Sequence, residues 1–260
     1  MADPMHQFQV QKVLDIPPIA VPGLGLIDIS ITNSTVAMMV AATLIVMFFA
    51  AVTASPRVVP GRLQVVGEGM FSFIDDLATG IIGPQGRAFF PFVFTLFVFI
   101  LAMNMLGMFT VFTATAQLAV GLTFALMSFL LVVVVGLVKN GLGFFKLFLP
   151  SGVPWYLWWL VVPIEIISFL LRPVTLSLRL FGNMLGGHVA MKVFAGFIVS
   201  LSALAATGGI ATLAYLAAGL AFGGVLALTA LEFLVAFLQA FVFAVLTCVY
   251  LNDAVHAGDH

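Results

Sequence analysis

Apolar residues along the chain fall into long runs parted by short polar breaks, and a helix needs roughly 20 of them to cross a bilayer core. Residues 34–54 supply the first such run, closed by Ser55, Pro56 and Arg57. Residues 60–84 differ, because Arg62, Glu68, Asp75 and Asp76 lie among apolar residues and glycines, a pattern that predicts an amphipathic helix at the interface rather than a span. Residues 88–138 hold no charged side chain and are long enough for two helices, with a break near Thr113 to Gln117, so they predict a hairpin. A Gly- and Pro-bearing loop, 139–154, leads into Trp155, Tyr156, Trp158 and Trp159, an aromatic cluster of the kind found at headgroup level. Residues 155–251 predict two long helices, with apolar stretches at 161 to about 204 and at 210–251, parted by Thr207, Gly208 and Gly209. Each stretch exceeds one perpendicular crossing, so each either tilts strongly or breaks. Residues 1–33 read as an external segment and 252–260 as a polar tail. The expected fold is therefore all-α, a single membrane domain of about five transmembrane helices plus one interfacial helix.

Composition agrees. Of the 260 residues, 63% are apolar and 7% charged, with a mean hydropathy of +1.26, against about a quarter charged in a globular domain. Nine Lys and Arg nearly balance ten Asp and Glu, which gives no argument for a nucleic-acid partner. The lone Cys248 sits in an apolar run and reads as a small packing residue. The N-terminus lacks the apolar core of a secretory signal and, with Asp3 and Asp15, is unlike an acid-poor transit peptide, so the mature chain is expected to begin here. That fits a bacterial inner membrane or, alternatively, an organellar one such as the mitochondrial inner membrane. In the predicted topology Arg57, Arg62, Arg87, Lys139 and Lys146 share one side while only Lys12 falls on the other. The positive-inside rule then places the N-terminus outside and the C-terminus in the cytoplasm. No phosphate-cradling glycine loop followed by Lys occurs, and ATP chemistry on this chain is not expected.

The chemistry gathers in the last two segments. Glu165, Arg172, Arg179, His188 and Lys192 lie in one of them and Glu232 and Gln239 in the other, and a charge at bilayer depth costs at least about 2.5 kcal/mol. At 100° per residue, Arg172, Thr175, Arg179, Gly182, Asn183 and Gly186 fall within about 60° of one direction. Gly182 and Gly186 form a small-xxx-small pair that lets another helix approach, with the guanidinium of Arg179 amid that docking face. His188 lies about 180° around the helix and roughly 13 Å along it. Were the two helices antiparallel with Gln239 level with Arg179, Glu232 would meet His188. Glu165 stands roughly 21 Å from Arg179 on the other side, so a titratable group flanks the permanent cation in each direction. Plainer readings remain open. Glu165 and Arg172 can be a neutralising pair, Arg172 an interface anchor, Lys192 a snorkelling side chain, and His188 with Glu232 a structural hydrogen-bonded pair. As a metal site the last two lack further ligands.

The stretch Thr175-Leu-Ser-Leu-Arg179-Leu-Phe-Gly-Asn183-Met, preceded by Glu165 and Arg172-Pro173, resembles the signature of subunit a of F-type ATP synthases, called subunit 6 in mitochondria. Leu238-Gln239 through Tyr250-Leu251 resembles the end of that family's last helix, and Asn104-Met-Leu-Gly107 its early-hairpin motif. The likeness covers most of the chain from Phe89 onward and is of the alphaproteobacterial and mitochondrial type. It implies a non-catalytic stator, without cofactor, whose two long tilted helices wrap a ring of c subunits, with b-type peripheral stalk subunits as further partners. It implies two offset proton half-channels to the ring's carboxylates, separated by the arginine matching Arg179, with Gln239 and Asn183 nearby. Where many bacterial members have an acid and a histidine, this chain has His188 and Glu232, the order of mitochondrial-type members. Phe109 replaces a proline common after the Asn104 motif.

Two other classes compete. A secondary transporter would bind substrate between repeated units, and no internal repeat is visible. A structural subunit of a respiratory complex would pair its buried charges internally. Co-purification with a ring of small hairpin proteins would separate the three.

Overall fold

The computed structural model describes residues 11–15, 19–21, 25–27, 30–54, 56–109, 114–148, 155–206, 208 and 213–257. Six long helices carry the fold. They are α1 (Asn33–Thr53), α2 (Arg62–Ile82), α3 (Gly86–Phe109), α4 (Leu118–Asn140), α5 (Trp158–Ala205) and α6 (Ala214–Val255). All except α2 are long and apolar enough to cross a membrane. The chain is thus an all-α membrane protein, with two small features the hydropathy pattern does not reveal. β1 (Lys12–Leu14) pairs antiparallel with β4 (Ile31–Thr32), and β2 (Ile19–Val21) with β3 (Gly25–Ile27). They precede α1, whose first turn is capped by the Thr32 side chain accepting from the Thr35 amide.

The hairpin within 88–138 forms as α3 and α4, joined by a 3-10 turn at Ala114–Ala116. Thr113, at the expected break, lies outside the described residues. The supposed loop after residue 138 is more ordered than its glycines suggest: α4 continues to Asn140 and a 3-10 helix follows at Gly141–Phe148. Phe144 is buried against Gly136 and Phe169, and that burial holds the segment to the bundle. The rest of this loop, 149–154, and most of the turn between α5 and α6 (207 and 209–212) lie outside the described residues, as do 1–10 and 258–260. Trp158 and Trp159 are exposed at the start of α5.

α5 runs unbroken for 48 residues through Pro163 and Pro173, and α6 for 42. At 1.5 Å per residue these are about 72 and 63 Å long, more than twice a hydrocarbon core of about 30 Å. Of the two sequence alternatives, tilt or break, α5 takes the unbroken form. α6 also passes the expected end at Leu251. Ala254, Val255 and Ala257 are buried, and Asn140 donates its amide to the Ala254 carbonyl at 2.6 Å. The tail read as polar is therefore half helix, because Asn252 and Asp253 share it with packed apolar neighbours.

α6 packs along α5 and, through its C-terminal half, against α2, α3 and α4. The central core unites Ile74 and Ala78 of α2, Val93, Phe97 and Ile100 of α3, Val132 of α4, Leu176 and Leu180 of α5 and Ala240, Phe243 and Cys248 of α6. Cys248 is a buried packing residue. Between α2 and α3 the backbones touch: a Cβ on Gly86 would lie 2.3 Å from the Ala78 carbonyl oxygen. Neither helix can yield locally at a backbone contact, so Gly86→Ala is expected to destabilise the chain by about 1–3 kcal/mol, read as a lower midpoint of denaturation in detergent. An unchanged midpoint would show that the two helices separate freely.

Candidate functional site

The two long helices carry the candidate site because three polar contacts set their register. His188 Nε2 lies 3.7 Å from Glu232 Oε1, Asn183 Nδ2 donates to Gln239 Oε1 at 2.7 Å, and Arg172 lies 3.3 Å from Asp253 Oδ2. Successive partners run backwards along α5 and forwards along α6, so the pair is antiparallel, the arrangement supposed from the sequence. The register differs by about a turn from the one supposed there. Gln239 meets Asn183, four residues beyond Arg179, because the buried amide of Gln239 finds a neutral partner of matching shape there.

His188 and Glu232 are both buried, at 7% and 5% exposure. Neither Glu232 carboxylate oxygen has a hydrogen-bond partner among the described residues. The wall beside them is Gly187, where a Cβ would stand 2.6 Å from Glu232 Oε1. Only hydrogen at that position leaves the carboxylate its place. Sequence reasoning passed over Gly187, although a third glycine next to the Gly182 and Gly186 pair was a visible signal.

Asn104 was also passed over as a site residue. It is fully buried on α3, and its amide donates to the Ala236 carbonyl at 3.1 Å, midway along α6 between Glu232 and Gln239. Its Oδ1, the Gln239 Nε2, the Thr115 hydroxyl and the Gln117 Nε2 are all buried without a hydrogen-bond partner among the described residues. Gln117 also takes a hydrogen bond from Ser34 at the start of α1. Buried polar atoms left unpaired cost about 1–3 kcal/mol each, so five such side chains, counting Glu232, mark a region suited to water rather than to dry packing.

On the other face of α5, Arg179, Thr175, Gly182, Asn183 and Gly186 are exposed, and a Cβ on Gly182 or Gly186 would touch nothing within 4 Å. Thr175 donates its hydroxyl to the Arg172 carbonyl at 3.0 Å. Arg179 has no ion pair or hydrogen bond with any described residue. Among the described residues nothing closes this face, and the guanidinium at its middle is uncompensated. Glu165 is half-exposed, and its suggested pairing with Arg172 does not form. Arg172 turns instead to Asp253 and lies over the Tyr250 ring, 4.5 Å from its centroid, and over Phe169, at 5.2 Å. Among the described residues no third His, Cys, Asp or Glu gathers with His188 and Glu232.

Residues 35–252 match the family described as ATP synthase A chain. The chain belongs to that family. One relative, an ATP synthase subunit a of Hyphomonas neptunium, is 52% identical over 99% of this chain and 98% of its own. Those of Rhizobium johnstonii (50% identical, 100% and 99% covered) and Mesorhizobium japonicum (48% identical, 98% and 96% covered) bear the same name. The matched stretch thus extends from α1 through nearly all of α6 and takes in Arg179, His188, Glu232, Asn183, Gln239 and Asn104, while Ser34 and Asp253 lie one residue beyond its two ends.

The Asn183–Gln239 contact can be weighed directly. Asn183→Ala leaves a buried Gln239 acceptor without its donor, with an expected loss of about 1–3 kcal/mol. The same substitution added to Gln239→Leu is expected to cost less, and a double-mutant cycle on denaturation in mixed micelles reads the difference. Equal losses in both backgrounds would mean the two side chains do not act on each other.

Proposed function

We propose that this chain is the proton-conducting stator subunit of a rotary F-type ATP synthase, embedded in a bacterial inner membrane with its N-terminus outside and its C-terminus in the cytoplasm. The supporting observation is the pairing, on α5, of an open face carrying uncompensated Arg179 with an opposite face whose buried His188 meets Glu232 of α6. Family membership and the names of the relatives favour this reading over a transporter or an internally paired structural subunit. The chain carries no catalytic step of its own. Its partners are the c-subunit ring, which covers the Gly182 and Gly186 face, and b-type peripheral stalk subunits.

The mechanism follows from charge. Protons arrive from the outer side through the region of Asn104 and the orphaned polar atoms of Thr115 and Gln117, and reach Glu232 and His188. With 3.7 Å between them, a small side-chain rotation suffices for a hydrogen bond and a transfer. The proton then neutralises a carboxylate on the ring, rides around, and leaves by an inner path that includes Glu165. Asn183 and Gln239, bonded to each other, hold the α5–α6 crossing beside Arg179. An arginine stays charged at physiological pH. At about 4 Å and an effective dielectric near 20 it favours an ionised ring carboxylate by about 4 kcal/mol. A protonated site therefore does not pass it easily, and a proton does not cross it directly, so the two half-channels stay separate.

Arg179→Ala is expected to abolish ATP-driven proton pumping in inverted membrane vesicles while the complex still assembles; pumping near the wild-type rate sinks the separator role. Glu232→Gln removes the titratable oxygen but keeps the side chain's shape, and is expected to slow pumping at least about a hundredfold, the lower end of what a proton-transfer group contributes, with normal assembly. Unchanged rates across pH would count against the relay.

A further inference from the structure

Glu165, Arg172 and Arg179 are spaced seven residues apart, so they stand along one stripe of α5 at steps of roughly 10 Å. Arg172 therefore lies between Arg179 and the Glu165 end, directly beside the path proposed above for the departing proton. A bare guanidinium there would act as a second barrier of the same kind as Arg179. Its surroundings show why it does not. Tyr250 and Phe169 hold the guanidinium over their rings, and Asp253 sets a carboxylate 3.3 Å from Nη1.

We infer that Asp253 is a positioning residue for proton transfer: it cancels the charge of Arg172 and draws it toward α6, leaving Arg179 as the one uncompensated cation on this stripe. This rests on the half-channel reading. The anchoring of α6 does not require the pair, because Leu251, Ala254, Val255 and Ala257 are already buried and Asn140 already bonds the Ala254 carbonyl at 2.6 Å. The rings, for their part, fix position but leave the charge in place. Only the carboxylate neutralises it. Removing that carboxylate exposes a unit charge roughly 10 Å from the next site on the path, which at an effective dielectric near 20 corresponds to a rate effect on the order of tenfold.

The test uses the intact complex in inverted vesicles, with ATP-driven acidification followed by a pH-gradient dye and the chain's amount in the membrane followed by immunoblot. Asp253→Asn is expected to lower the pumping rate on the order of tenfold per assembled complex, and Arg172→Gln added to it is expected to restore pumping to within about twofold of wild type. An undiminished rate in Asp253→Asn overturns the inference, and so does a double variant that pumps no better than the single, which is the result a simple anchoring pair gives. If Asp253→Asn does not accumulate, the double variant decides alone: it must accumulate and pump within about twofold of wild type, and failure to do so overturns the inference. Arg179→Ala assayed alongside reports on the underlying half-channel reading independently of Asp253.

Discussion

Two helices of 48 and 42 residues can slide past each other through many registers of nearly equal apolar burial, since leucines and phenylalanines pack against almost anything of similar size. Polar side chains remove that freedom. An amide, an imidazole or a carboxylate displaced from its partner within the bilayer loses a hydrogen bond that no lipid replaces. Here His188 with Glu232, Asn183 with Gln239 and Arg172 with Asp253 are spread along α5 and α6 and agree on one antiparallel register. That register decides which groups share a depth, which side of α5 is closed by α6, and therefore which side is left for something else.

The open side takes its character from this arrangement. Although α6 reaches α5 at Asn183 and Arg172 as well as at His188, Arg179 and the two glycines stay exposed, with no cover from the described residues. In a soluble protein an exposed arginine would call for no comment; on a helix of bilayer-spanning length it implies a partner or a water-filled cleft. The cost of that charge is what ties the fold to the proposed rotary function. A stator must present a fixed cation to a moving row of carboxylates without binding any of them permanently, and a face of glycine and asparagine around a single guanidinium fits that requirement.

Much of this was legible in the sequence, for identifiable reasons. Span-length apolar runs fixed α1, α3 and α4, and the 3.6-residue period placed Arg179, Gly182 and Gly186 on one stripe before any contact was known. The meeting of His188 and Glu232 followed from counting residues along antiparallel helices. The counting failed by about a turn at Gln239, since it had no means of knowing that Asn183 offers the better-matched hydrogen bond. Arg172 was harder. Its local alternative, Glu165, was visible from spacing, while its true partner lies 81 residues away in a segment whose Asn and Asp made it look like a solvated tail. Hydropathy also cannot show that Gly187 lines the Glu232 carboxylate or that Asn104 reaches Ala236, because both depend on how closely backbones approach. The short β-pairings before α1 escape detection too, being two or three residues long.

The central claim is that the Arg179 stripe of α5 faces the rotor. Single-cysteine cross-linking tests it most directly, in a Cys248→Ala background within the assembled complex. Gly186→Cys lies on the Arg179 stripe, while Leu170→Cys is equally accessible, with the native side chain 55% exposed, and points about 180° away. The account predicts that a short bifunctional reagent joins residue 186 to the ring's small hairpin subunit and leaves residue 170 unjoined to it. Equal cross-linking at both positions, or a ring product from residue 170 alone, would contradict the account.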